Sequence, residues 1–361
     1  MADMRSTAIE LARSGFDDGS FLDRLRTPVA VPTESAPPHK TELARYFREI
    51  LGPMLAGLGF SPQVLDNPEA EHGPVLIGTR IEDRSLPTVL VYGYGDVVRA
   101  MPERWRPGLD PWHIAVEGDR IYGRGVVDNK GRHLLAIEAL RAVEAARGHL
   151  GFNATIMIET GEEAGSPGLR PFLEQHRHLC ASDVFIALDG PRQSRAVPDI
   201  TLGTRGGVAL DLVLELREGS HDSGHWGGLL ADPDVILAHS IASIVSRDGR
   251  ILVPGWRPTT ISEAVRNASR AVVIEDLPGT PMPDPGWGEP GLSRAERIYI
   301  WSSVIVLASV SGQPEAPINA VGGRAPARLQ VRHTADVDGE MSLPALRAHL
   351  AAHGFPEVQV V

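Results

Sequence analysis

Short apolar runs that alternate with helical stretches constrain this chain most. Val75-Leu76-Ile77-Gly78, Thr88-Val89-Leu90-Val91-Tyr92-Gly93, Thr155-Ile156-Met157-Ile158-Glu159 and Val184-Phe185-Ile186-Ala187-Leu188 have the length and β-branched content of buried strands. Between the second and third runs, Asn129 to Ala146 carries Leu134, Leu135, Ile137, Leu140 and Val143 at helical spacing. Upstream, Ala8, Leu11 and Ala12, then Phe21, Leu22 and Leu25, and then Thr41 to Leu58 also read as helix, broken by Pro32, Pro37 and Pro38. Strands alternating with helices predict an α/β sheet covered on both faces, with its chemistry in the loops where strands end.

After Gly203-Thr204-Arg205-Gly206-Gly207 the texture changes. Strand 208–216, helix 235–245, strand 298–308, strand 327–332, helix 343–353 and strand 358–361 give a β-α-β-β-α-β order, the split form of a ferredoxin-like α+β layer. A Pro-, Gly- and Asp-rich insertion, Asp276 to Gly291, reads as a surface loop. The predicted domains are therefore 1–205, α/β, and 206–361, α+β, in keeping with 361 residues at about 150 per domain.

Charge removes several functions from consideration. Lys plus Arg number 35 against 46 Asp plus Glu, a formal −11, so neither nucleic acid nor an anionic membrane is an expected partner. No run of eighteen apolar residues predicts a membrane span. The N-terminal residues lack the basic and apolar regions of a secretion signal, and Cys180 is the only cysteine; a cytoplasmic, reducing setting is expected. Cys180 itself reads as a buried thiol, and His333, His349 and His353 as surface or helix-face residues.

Carboxylates punctuate the strand ends. They lie in Gly93-Tyr94-Gly95-Asp96, in Gly123-Arg124-Gly125-Val126-Val127-Asp128-Asn129-Lys130-Gly131, in Glu159-Thr160-Gly161-Glu162-Glu163-Ala164-Gly165-Ser166, and in Ala187-Leu188-Asp189-Gly190. Taken singly, Asp96, Asp128 and Asp189 could be turn or helix-cap residues, and Glu162-Glu163 a solvated pair. Gathered at one sheet edge they repel one another, and a bound dication is the usual means of keeping them ionised.

The order and spacing of these segments resemble the dinuclear zinc aminoacylase and carboxypeptidase family, which includes acetylornithine deacetylase, succinyl-diaminopimelate desuccinylase, glutamate carboxypeptidase and carnosine dipeptidase. The resemblance implies a zinc-peptidase-like catalytic domain with a ferredoxin-like lid, and a homodimer formed through that lid. It implies two divalent metal ions, zinc first, with cobalt or manganese as alternatives. Asp128 would bridge the ions, Glu163 would hold one and Asp189 the other. Glu162 corresponds to the general base, and Asp96 to the residue that orients the first ligand. The implied reaction is metal-dependent hydrolysis of an amide or peptide bond next to a free carboxylate, in a small peptide or an N-acyl amino acid. Asn319 and Arg332 correspond to lid residues that hold that carboxylate, with ordinary sheet hydrogen bonding an equally good reading of both.

Three departures from the family pattern support a second reading, a truncated or degenerate member that keeps a dimerisation or ligand-binding module. Tyr94 stands where the first metal-binding imidazole belongs. A phenol ligates as phenolate, and its loss of a proton at neutral pH costs roughly four kcal/mol. In Ser220-His221-Asp222-Ser223-Gly224-His225, Asp222 takes the place of the histidine that would face the tetrahedral intermediate, leaving His221 as the nearest substrate-binding candidate, with His225 beside it. The family's return segment, with its final metal histidine, has no counterpart before Val361. That pattern predicts an oxygen-only site suited to Mg²⁺, Mn²⁺ or Ca²⁺.

Overall fold

The computed structural model describes residues 3–35, 39–190, 193, 194, 197, 200, 201, 203–276, 280–310, 312 and 315–361. Pro37, Pro38 and positions 277–279 of the insertion lie outside the described residues, as do Met1 and Ala2. The chain divides into two compact units, Met1–Gly190 and Pro191–Val361. That boundary falls somewhat N-terminal of the 205/206 division read from the sequence.

The first unit begins with helices α1 (Met4–Asp17), α2 (Ser20–Val29) and α3 (Lys40–Arg45), then a π-helical turn over Tyr46–Leu51 that runs into α4 (Gly52–Ala56). Strands β1 (Ser61–Leu65), β2 (Val75–Arg80) and β3 (Thr88–Tyr94) follow. Next come a short hairpin of β4 (Ala115–Glu117) and β5 (Arg120–Tyr122), helix α5 (Lys130–Arg147) and strand β6 (Asn153–Glu159). Helices α6 (Leu169–Gln175) and α7 (Arg177–Cys180) lead to β7 (Val184–Ala187). The five-stranded sheet runs β1-β2-β6-β3-β7, antiparallel at β1/β2 and β2/β6 and parallel at β3/β6 and β3/β7.

Every residue of β6 is buried, as its central place requires. Alternate side chains feed two cores. Ile156 and Ile158, with Leu76 and Val91, pack against Tyr46, Phe47, Leu51, Leu55, Ile137 and Leu140. Met157, with Val75, Ile77 and Leu90, packs against Phe172 of α6. Each such side chain contributes roughly 1.5–3 kcal/mol by leaving water. Coverage of both faces stops at β7, whose four residues are all exposed.

The second unit is a separately cored α+β layer. Strand β8 (Gly206–Glu215), the two-residue β9 (His221–Asp222), α8 (Ser223–Trp226) and α9 (Pro233–Ile244) are followed by α10 (Glu263–Arg270) and α11 (Arg294–Tyr299). Then come β10 (Ser303–Ser309), β11 (Ala320–Val321), β12 (Arg324–His333), α12 (Ser342–Ala352) and β13 (Gln359–Val360). Its sheet order β10-β12-β8-β13, antiparallel throughout, is the ferredoxin-like arrangement expected from the sequence. Leu210, Leu212 and Leu214 of β8 and Ala325, Ala327, Leu329 and Val331 of β12 point to one face, where Leu237, Ile244, Trp256, Leu346 and Leu350 cover them.

The strand expected to start at Ile298 starts at Ser303 instead. Residues just before it form α11, because the Ser293 hydroxyl accepts the Glu296 amide at 3.2 Å while the Glu296 carboxylate accepts the Ser293 amide at 2.8 Å. The described part of the Asp276 to Gly291 insertion carries neither helix nor strand.

Candidate metal centre

Parallel pairing brings the C-terminal ends of β3, β6 and β7 together: Tyr94 lies opposite Glu159, and Tyr92 opposite Ala187. The loops beyond these ends carry the acidic segments, which is where an open α/β sheet gathers its chemistry. Asp96 leaves β3 after Gly95, Asp128 precedes α5, Glu162 and Glu163 open a 3₁₀ turn after β6, and Asp189 follows β7. Two of these places leave little or no room for a Cβ. A Cβ on Gly95 would stand 3.0 Å from the rings of Phe47 and Tyr46, and one on Gly131 would meet the Val126 carbonyl at 1.9 Å.

Asp96 is fully buried and acts as the anchor of the cluster. Its carboxylate accepts the Ser35 hydroxyl at 2.8 Å, the Glu163 amide at 3.1 Å and the Glu162 amide at 3.3 Å. Burial raises its pKa against the pull of these donors. Asp96 therefore fixes the turn that presents the two glutamates. Burial first, then the charges of Asp189, Glu163 and Asp96, push Glu162 up to about 7. Glu163 is likewise pushed up to about 7 by burial and then by Asp128 and Asp96.

Tyr94, only 2% exposed, points its hydroxyl between two carboxylates. The hydroxyl donates to Asp128 Oδ1 and lies 3.1 Å from Asp189 Oδ1. Burial and the hydrogen bond to Asp128 raise its pKa, so the phenol holds its proton. Asp189 has a second partner that sequence reasoning missed, the Arg132 guanidinium at 2.8 Å. Its signal was a cation one residue past the Lys130-Gly131 pair, two positions inside the helix start.

Other buried polar groups support this edge from beneath. His133, 1% exposed, lies 2.7 Å from the Tyr46 hydroxyl through Nε2 and 3.1 Å from the Tyr94 carbonyl through Nδ1. A carbonyl only accepts, so Nδ1 donates to it and Nε2 accepts from Tyr46. Burial, then the Lys130 charge, holds His133 down at about 3. Lys130 Nζ donates to the Val31 carbonyl at 2.6 Å over the Tyr46 ring, and burial lowers it to about 7. Asn129 spans the site, donating from Nδ2 to the Leu188 carbonyl at 2.6 Å.

Can this donor set take a metal pair? Asp128 and Glu163 are oxygen donors of the kind a hard cation takes, and the Asp128 charge helps raise Glu163. Between Asp128 and Asp189 the phenol proton and Arg132 are already bonded to Oδ1 of the carboxylates. Among the described residues, no three His, Cys, Asp or Glu side chains converge as a metal group.

The remaining candidates belong to the second unit. His221 lies on β9, its ring edge-on to Trp226 at 6.0 Å. The Asn319 carbonyl accepts the Ser223 amide at 3.0 Å. Arg332 is exposed on β12 opposite Ser303, and its charge, after burial, helps lower the pKa of Arg205. Asp222 caps α8, accepting the His225 amide at 3.1 Å and its Nδ1 at 2.8 Å. Of the other histidines, His349 is buried with Nε2 on the Ser243 carbonyl, and His353 stacks on it.

The first unit is thus an open α/β sheet with five carboxylates in the loops at one edge, and the second a ferredoxin-like layer. The chain belongs to peptidase family M20/M25/M40, whose model matches residues 90–340. It is 32% identical over 248 residues to the human Beta-Ala-His dipeptidase, covering 65% of this chain and 48% of that protein. It is 28% identical over 248 residues to a Cys-Gly metallodipeptidase of Candida albicans, covering 65% and 51%. The chain thus spans about half the length of these curated relatives. In fold it is similar to the crystal structure of human carnosine dipeptidase 1, with a TM-score of 0.78, 24% identity, and coverage of 99% of this chain and 79% of that one.

Proposed function

We propose that this protein hydrolyses an amide or peptide bond next to a free carboxylate, in a metal-dependent reaction on small peptides or N-acyl amino acids. The observation that carries the reading is the placement of Asp96, Asp128, Glu162, Glu163 and Asp189 in the loops at one sheet edge, in a member of this family. Relatives described as dipeptidases support it, and one of them is described as a metallodipeptidase.

Asp128 and Glu163 would hold the cation, which when bound supplies a more acidic water and polarises the scissile carbonyl. The resemblance puts zinc first and cobalt or manganese next, and an all-oxygen donor set suits manganese. Glu162 takes the proton of the attacking water and passes it to the leaving amine, a task suited to a carboxyl poised near neutral pH. Asp96 keeps Glu162 in place through the backbone amides of the turn. His221, Asn319 and Arg332 of the second unit are the candidates for holding the substrate's carboxylate. A homodimer through that unit is part of the same reading. The exposed Ile305 and Leu307 on edge strand β10 support it. So is a cytoplasmic setting, in which the single Cys180 stays a free thiol.

The test is hydrolysis of a panel of dipeptides and N-acyl amino acids by the purified protein with Zn²⁺ or Mn²⁺. Turnover that a chelator abolishes and added metal restores is the expected result. Turnover indifferent to chelation, or none with any of these substrates, contradicts the reading and favours a member that binds without cleaving.

A further inference from the structure

Asp189, assigned to one of two metal ions by resemblance, already faces a cation of the chain's own. Arg132 donates from Nη1 to Asp189 Oδ1 at 2.8 Å and from Nη2 to the Gly190 carbonyl at 2.5 Å, so both arms of the guanidinium are committed. The same Oδ1 lies 3.1 Å from the Tyr94 hydroxyl, which also donates to Asp128. A metal ion between Asp128 and Asp189 would have to displace a phenol proton, compete for an occupied lone pair and sit beside a positive guanidinium.

We infer that Tyr94 and Arg132 together take the place of one metal ion, so that the chain binds a single divalent cation, at Asp128 and Glu163. Asp189 is then a structural acceptor, and Tyr94 is a spacer that fills the gap between the two carboxylates without ligating. The inference rests on the proposed metal-dependent reading only in taking these carboxylates as metal-binding.

The experiment is equilibrium dialysis against saturating Mn²⁺, with bound metal counted by plasma mass spectrometry, for the wild type and for a Tyr94→His, Arg132→Gln double variant. One ion per wild-type chain and two per variant chain are expected. Two ions or none in the wild type, or no gain in a variant that still unfolds cooperatively, overturns the inference. Should the variant not fold, the wild-type count decides together with its near-ultraviolet difference spectrum during metal titration. Absence of a tyrosinate band is expected, and its appearance overturns the spacer role. A one-ion protein that cleaves no substrate contradicts the proposed function alone, whereas a two-ion protein that cleaves dipeptides contradicts this inference alone.

Discussion

At the scale of single residues, the titratable groups of the site and of the layer beneath it make stability depend on pH with opposing signs. His133 is held at about 3 in the folded chain against 6.5 when exposed, so its contribution is fully present above about 6.5 and is lost as pH falls towards 3. Glu162 and Glu163, raised to about 7 from 4.5, act oppositely and favour the folded state as pH falls through that interval. A difference measurement separates them. Between pH 7 and 5 the wild type should lose about 2 kcal/mol relative to a His133→Gln variant, read from urea unfolding. Parallel pH profiles for the two proteins would show that His133 accepts a proton without cost. Tyr94 illustrates what sequence could and could not give at this scale. Its position in place of an imidazole was legible from the surrounding motif, but its hydroxyl bonds to Asp128 and Asp189 depend on strand ends brought together by β3 and β7.

At the scale of elements, two substitutions probe how the site is built. Gly131→Ala places a methyl against the Val126 carbonyl at 1.9 Å and must displace the start of α5. Lowered thermal stability, with metal binding weakened alongside, is expected from calorimetry and metal titration; a variant with unchanged melting contradicts that packing. Leu329→Ala, in the middle of β12, should cost about 2–5 kcal/mol in urea unfolding, because it opens a cavity in a fully buried layer. The strands that carry acids were legible because buried runs such as Ile156 to Ile158 are apolar and bounded by Gly, Pro and acids. The hairpin of β4 and β5 was not read, since its three-residue strands are too short to show periodicity. Strand β10 was begun too early because Ile298 and Tyr299 look extended by composition, while the Ser293–Glu296 capping box decides for helix. Arg132 escaped notice for a related reason: charged residues near helix starts are common, and only tertiary structure gives this one a carboxylate.

At the scale of the whole molecule, the chain is two separately cored units. Residues 191–361, with their own sheet and two covering helices, should therefore fold alone and melt cooperatively by circular dichroism; a broad, non-cooperative melt would contradict an independent core. Among the described residues no helix is long and apolar enough to cross a membrane. The negative balance of charge fits small-molecule chemistry better than a nucleic-acid surface. The proposed function makes the carboxylate edge a working hydrolytic centre with Glu162 as its base. The most direct measurement is kcat/KM for a cleaved dipeptide in the wild type and in Glu162→Gln, with bound Mn²⁺ counted in both. A fall of at least about 100-fold with the metal count unchanged is expected. Equal activity in the two proteins at equal metal content would contradict it.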